Sequence, residues 1–222
     1  IVADLDGSAA TLIQPRQFAE PRQVSEEFQM QGTPFGKNFD FTLGAYYFRE
    51  WGQDGQTSSN FPQLTAIGFA SATPALMSFY LAQSAQFYNQ NQVADTEASS
   101  WAVYAAGTLR LGDAFSLSGG IRYNNDTRRV TWNPFYTSLA IPGTPIVAPC
   151  YWNGVAALSR AACVQNRVLK NAAVTWDATA QWRPSEDLTA YISARKGYRS
   201  GGFSLRATAD AIGVPFQPEY VR

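Results

Sequence analysis

The fold class this sequence predicts is all-β: an antiparallel, up-and-down wall of strands with long loops at one end. Three observations predict it. Apolar and polar residues alternate with a period of two along much of the chain, while helical periodicity is scarce. The connections between alternating stretches run short, long, short, long, short, long. Charged residues make up only 15% and aromatics 14% of the 222 residues, against about 25% charged in ordinary soluble domains.

Taken in order, the first strand, at residues 24–30, is the weakest. Ser25, Glu27 and Gln29 form its polar face, but Glu26 interrupts the apolar one. The second is clear: Phe39, Phe41, Leu43, Ala45 and Tyr47 oppose Asp40, Thr42, Gly44 and Tyr46. In the third, Trp101, Val103, Ala105, Gly107 and Leu109 oppose Ala102, Tyr104, Ala106, Thr108 and Arg110. In the fourth, Phe115, Leu117, Gly119, Ile121 and Tyr123 oppose Ser116, Ser118, Gly120, Arg122 and Asn124. The fifth sets Val174, Trp176, Ala178, Ala180 and Trp182 against Thr175, Asp177, Thr179, Gln181 and Arg183. The sixth sets Leu188, Ala190, Ile192 and Ala194 against Thr189, Tyr191, Ser193 and Arg195. Successive side chains on a strand point to opposite faces, so each stretch has one greasy and one wet side.

Short links fall at residues 31–38, 112–114 and 184–187, all rich in turn formers. Long links fall at 52–98, 134–170 and 205–215. A meander with short turns at one end and long loops at the other is the habit of membrane-spanning barrels. Phe39, Phe41, Phe115 and Trp182 sit near the short-turn ends, and Tyr47, Trp51, Trp101, Tyr123 and Trp176 near the long-loop ends. At about 3.3 Å per residue and a tilt near 40°, the two sets stand roughly 15–20 Å apart, approaching an apolar band bounded by aromatic girdles. Lys196, one step beyond, is placed to snorkel to the same interface. Packing of these rings in a soluble core is the competing reading.

Two loop features stand out. Residues 74–92 are apolar enough for a short helix starting at Pro74. Its Phe79, Tyr80, Phe87 and Tyr88 are candidates to face a ligand at the barrel mouth, or else to pack the loop on itself. Cys150 and Cys163 share the second long loop. An even count in an extracellular loop reads as a disulfide, closing a ring that stabilises the loop by about 3 kcal/mol. A catalytic thiol pair lacks CxxC spacing and any histidine. Gly201 and Gly202 are expected to let the chain bend through positive φ.

Exclusions follow from composition. Lys plus Arg and Asp plus Glu are 17 each, without the basic excess of a nucleic-acid binder. With no histidine and two cysteines, triad catalysis, imidazole-based zinc sites, His-ligated haem and four-cysteine clusters are excluded. No carboxylate pair suggests glycosidase chemistry. No cofactor is expected, and no enzyme activity. No apolar run reaches the about 18 residues of a membrane-spanning helix.

Residues 182–203, from Trp-Arg-Pro-Ser-Glu-Asp-Leu through Lys196-Gly197-Tyr198-Arg199-Ser200-Gly201-Gly202-Phe203, followed by Phe216-Gln217-Pro218-Glu219, resemble the barrel of TonB-dependent outer-membrane receptors. Residues 117–123, Leu-Ser-Gly-Gly-Ile-Arg-Tyr, resemble another of that family's strands, as do residues 24–28 and 43–48. Asp4-Leu5-Asp6-Gly7 fits the linker that precedes them. The motifs come in the family's order across residues 4–222. The resemblance implies a roughly 22-stranded closed barrel with a plugged lumen. Residues 1–222 would supply six to eight of its strands, with the plug domain and C-terminal strands outside this chain. It also implies a bacterial outer-membrane location and contact with the lipid bilayer. The expected activity is uptake of a large scarce solute: most of all a ferric siderophore, else cobalamin or a saccharide. Energy would come from the TonB complex of the inner membrane, reached through the absent plug segment. The wet faces would then line the lumen, with Tyr46, Tyr104, Thr108, Arg110, Arg122, Asp126, Asp177, Gln181, Tyr191 and Arg195 pointing inward. Arg110, Arg122, Asp177, Tyr191 and Arg195 are the candidate plug contacts. Arg122 and Arg195 matter most, because a buried guanidinium needs a carboxylate. A passive pore or small complete barrel of eight strands, and a soluble β-sandwich, are the alternatives.

Overall fold

The structure is a computed structural model that describes residues 13–60, 88–138, 150–153, 155–157 and 159–221. The described residues form ten strands: β1 (Ile13–Gly32), β2 (Phe39–Asn60), β3 (Tyr88–Leu111), β4 (Phe115–Trp132), β5 (Phe135–Ser138), β6 (Cys150–Trp152), β7 (Val155–Ala157), β8 (Gln165–Trp182), β9 (Ala190–Arg199) and β10 (Glu219–Val221). Seven of them pair as one antiparallel meander in the order β1-β2-β3-β4-β8-β9-β10. The short strands β5, β6 and β7 branch from the upper part of β3, beyond the point where β4 has ended.

Register explains the sidedness. The β2–β3 ladder runs from Phe39↔Leu109 to Ser59↔Asn89 without a slip, and β1–β2, β3–β4 and β4–β8 are equally regular. With no bulge, a residue's parity fixes its face along the whole length of these strands. Leu117, Ile121, Trp176 and Ile192 are 47%, 56%, 42% and 75% exposed and share one face, so they cover an outer wall rather than a dry centre. Trp101 meets Tyr123 at 5.4 Å between ring centroids near one end of this face, and Phe115 stacks on Trp182 at 6.2 Å near the other. Lys196 holds its ammonium 5.2 Å from the Tyr220 ring.

The opposite face carries the core. Ala94, Ala98, Ala102, Val130, Trp132 and Ala173 are buried there. The chain before β8 and the chain after β9 fold back over its long-loop end. Trp132, Trp152, Ala207 and the Cys150–Cys163 disulfide form one cluster with Phe203 and Leu205 packed against it. The disulfide is therefore a staple inside a small apolar core. Its 13-residue separation stabilises that lobe by about 3 kcal/mol in the chain-entropy model.

Several expectations change. The expected link 52–98 is shorter, since β2 continues to Asn60 and β3 begins at Tyr88. The expected helix over 74–92 fails at its end, where Tyr88 pairs with Ser138 and Asn91 with Phe135. Phe79, Tyr80 and Phe87 lie outside the described residues. The link 134–170 holds three short strands, and β8 starts already at Gln165. Gly201 and Gly202 do not use positive φ; among the described glycines only Gly36 (φ 66°) and Gly112 (φ 68°) do, both in short turns. Gly201 is glycine for another reason: a Cβ there would stand 2.3 Å from the Phe216 carbonyl oxygen.

Candidate functional site on the inner face

The polar parity of β1 to β4, β8 and β9 converges on one concave surface. At its short-turn end Arg110 pairs with Asp40 at 2.5 Å and donates to the Lys37 carbonyl at 2.9 Å. Arg110 is thus engaged locally and clasps the β3–β4 side of the wall to the β1–β2 turn.

Higher on the wall a network crosses five strands. Tyr104 Oη on β3 donates to Glu27 Oε1 on β1 at 2.7 Å. It reaches across β2 because residue 44 there is glycine: a Cβ at Gly44 would lie 2.2 Å from Tyr104 Cζ. Next to it, the Arg122 guanidinium carbon sits 5.2 Å from the Tyr46 ring centroid and 5.6 Å from that of Tyr104. Such stacking favours a guanidinium over an ammonium. Arg122 Nε donates to Asn124 Oδ1 at 2.7 Å, and Asn124 Nδ2 reaches Thr175 Oγ1 at 3.4 Å.

A recess of about 530 Å³ opens beside this network, lined by Tyr104, Arg122, Asn124, Thr175, Asp177 and Arg195 among others. Register sets Asp177 opposite Arg195. Among the described residues, Arg122 and Arg195 have no carboxylate within 4 Å, and Arg195 makes only a 3.5 Å bond to Ser193. The recess therefore presents cationic donors with spare capacity. Tyr191 lies on the same face near the short-turn end and is 73% exposed. The structure brings Arg122, Asp177 and Arg195 together and leaves Arg110 and Tyr191 apart. Sequence reasoning passed over Glu27 as a partner, although its parity with Ser25 and Gln29 is the readable signal.

Above the recess, the chain after β9 supplies a second set of inner-face contacts. Arg206 pairs with Asp54 and approaches Gln56 Oε1 at 3.4 Å. Asp210 accepts from Asn153 Nδ2 at 2.6 Å, Arg167 at 2.9 Å and Trp152 Nε1 at 3.3 Å. The Asn153 bond is the main cause that holds the Asp210 carboxyl below the usual carboxylate range, against a smaller opposing effect of burial.

Greasy outer wall, wet inner wall and loops folded in at one end define the wall of a membrane-spanning β-barrel. The family model for the TonB dependent receptor-like beta-barrel matches residues 4–222. The chain belongs to that family and forms part of its barrel. No curated protein matches it by sequence. Among solved structures, the ferric yersiniabactin uptake receptor FyuA from Yersinia pestis is similar in fold, with a TM-score of 0.63 at 16% identity. That match covers 94% of this chain and 26% of the receptor, so the chain spans about a quarter of that receptor's length.

Proposed function

We propose that this chain is part of an outer-membrane active-transport receptor that takes up a large scarce solute, a ferric siderophore before cobalamin or a saccharide. The energy arrives from the inner-membrane TonB complex through a plug segment outside this chain. The solute undergoes no covalent change. The observation that carries the reading is the recess on the inner face. Arg122, stacked against two tyrosines, and Arg195 offer donors to an anion, and membership of a barrel family supports reading this face as the lumen side. A ferric chelate bearing negative charge, or a carboxylate of the plug, has the chemistry to use them. The ferric chelate is favoured because the similar receptor is itself described as a ferric yersiniabactin uptake receptor. Phe79, Tyr80, Phe87 and Tyr88 remain the proposed loop contacts.

The test uses the full-length receptor in its own cells. Uptake of radiolabelled ferric chelates should be lost when the gene is deleted and when TonB is removed. Uptake that persists without TonB would leave a passive pore. Arg122→Gln with Arg195→Gln should lower uptake several-fold at unchanged abundance. The four aromatics changed together to alanine should do the same, and undiminished uptake would remove them from solute capture.

A further inference from the structure

Residues 201–218 leave the long-loop end of β9 and do not stay beside it. Arg206 reaches Asp54 and Gln56 on β2. Between β9 and β2 lie β8, β4 and β3. Four strand spacings at about 4.8 Å make that crossing roughly 19 Å across the inner wall. Asp54 and Gln56 share the parity of Tyr46, so the crossing runs on the lumen side.

The segment is held at every stage of the crossing. At its start Gly202 and Phe216 exchange backbone hydrogen bonds at 2.9 and 3.3 Å and close the segment on itself. Trp132 Nε1 donates to the Ser204 carbonyl at 2.9 Å, and Phe203 packs edge-on against the Trp132 ring at 5.7 Å. Ala207 is 2% exposed in the cluster that contains the disulfide. Asn153 N donates to the Thr208 carbonyl at 3.0 Å, and Asp210 is held by Asn153, Arg167 and Trp152. Gly213 is buried against Trp132, whereas Ile212 and Val214 on either side of it are 51% and 64% exposed.

We propose that residues 201–218 are a fixed strap across the inner wall of the barrel mouth: they narrow the mouth and set the size of what enters, and they do not open as a lid. Segments that move are drawn from regions with few buried contacts. This one has a buried apolar root, a disulfide beneath it and polar clamps on β2, β8 and the β6–β7 turn. A solute entering the mouth meets Ile212 and Val214 in place of the inner wall that the strap covers at Trp132. The size-setting role rests on the transport reading; the fixed geometry does not.

The test has two arms in the full-length receptor. Both cysteines of this chain are in the disulfide, so with any cysteine outside residues 1–222 replaced by serine, spin labels at Gln53→Cys and Ser204→Cys, both exposed sites, report the strap-to-wall distance. One narrow distance distribution, unchanged by added ferric chelates and broadened by Asp54→Ala with Arg206→Ala, is expected. Two populations in the unaltered receptor, or a shift when chelate is added, would make the strap a lid and overturn the proposal. In the second arm Ile212→Trp should cut ferric-chelate uptake at least fivefold at normal abundance. Full uptake by both Ile212→Trp and Val214→Trp would take the strap out of the path and overturn it as well. If the unaltered receptor takes up no chelate, the transport reading falls and the size-setting role with it, while the spin-label distance still decides whether the strap is fixed.

Discussion

A glycine decides what the inner face can do at residue 44. A Cβ there would stand 2.2, 2.4 and 2.5 Å from three atoms of the Tyr104 phenol, so a larger residue must displace the ring that now reaches Glu27. Gly44→Val is expected to destabilise the full-length barrel by about 1–3 kcal/mol, the usual range for overpacking. The same change in a Tyr104→Ala background should cost far less, because the three atoms nearest to the added Cβ all belong to that side chain; denaturant unfolding of the four proteins in a mutant cycle measures it. Equal costs in both backgrounds would mean that Tyr104 does not lie over Gly44. Asp210 gives the pH-dependent counterpart. Its pKa is lowered in the fold, chiefly by Asn153, so the unfolded chain binds more protons in the acid range and stability rises with pH there. The contribution is complete above the unfolded value of about 3.9 and disappears as pH falls through the lower folded value. Tryptophan emission should report this, since Trp152 Nε1 donates to Asp210. An acid-induced change below about pH 4 is expected in the native protein and should be absent in Asp210→Asn.

Sidedness is the property of an element, and β8 shows it best. Ala178 lies on the outer face, opposite Gly119 and halfway between Trp182 and Val174, and Val174 pairs with Tyr123 of the aromatic girdle. Arginine at Ala178 would stand near the middle of the apolar band, at a cost of roughly 2–4 kcal/mol. Arginine at Thr179, one residue on, would face the lumen. Urea unfolding in lipid vesicles should separate Ala178→Arg from Thr179→Arg by most of that amount, and equal stabilities would contradict the assigned faces. This alternation was legible in the sequence because lipid on one side and water on the other force a period of two. The strand lengths were not. Above the girdle both sides of a strand meet water, so Gln53-Asp54-Gly55-Gln56-Thr57-Ser58 of β2 pair with 90–95 of β3 without alternating. Charge placement explains the rest: Arg206 finds Asp54 across 152 positions of sequence, a contact no local pattern announces. Arg122, Asp177 and Arg195 were legible as a set because strand parity alone places them on one face, whereas the local capture of Arg110 by Asp40 and Lys37 depends on a turn geometry read only from coordinates.

For the molecule as a whole, the open question of hydrogen bonding lies at the two ends of the meander. Among the described residues β1 pairs only with β2, and β10 only with β9, so within that set each presents an unpaired row of backbone groups. In hydrocarbon each unsatisfied group costs several kcal/mol, which leaves closed barrels as the only sheets that span a bilayer. The seven meander strands of the described residues are fewer than the eight of the smallest known barrels. They also bring an odd number, which would force the first and last strands of this meander to close in parallel. Pro15 and Pro21 remove two donors from β1, which relieves part of its edge but not the stretch from Arg22 to Gly32 that lies against Phe41 to Trp51. Residues 1–222 expressed alone and refolded into detergent or lipid are therefore expected to aggregate, without the heat-modifiable band that closed barrels give on electrophoresis. The same residues within the full-length receptor should give that band. A heat-modifiable monomer from the isolated chain would mean that its own edges meet and that it forms a small complete barrel. The concave inner face would then enclose a narrow pore about the Arg122–Tyr104 network, with no room for a plug.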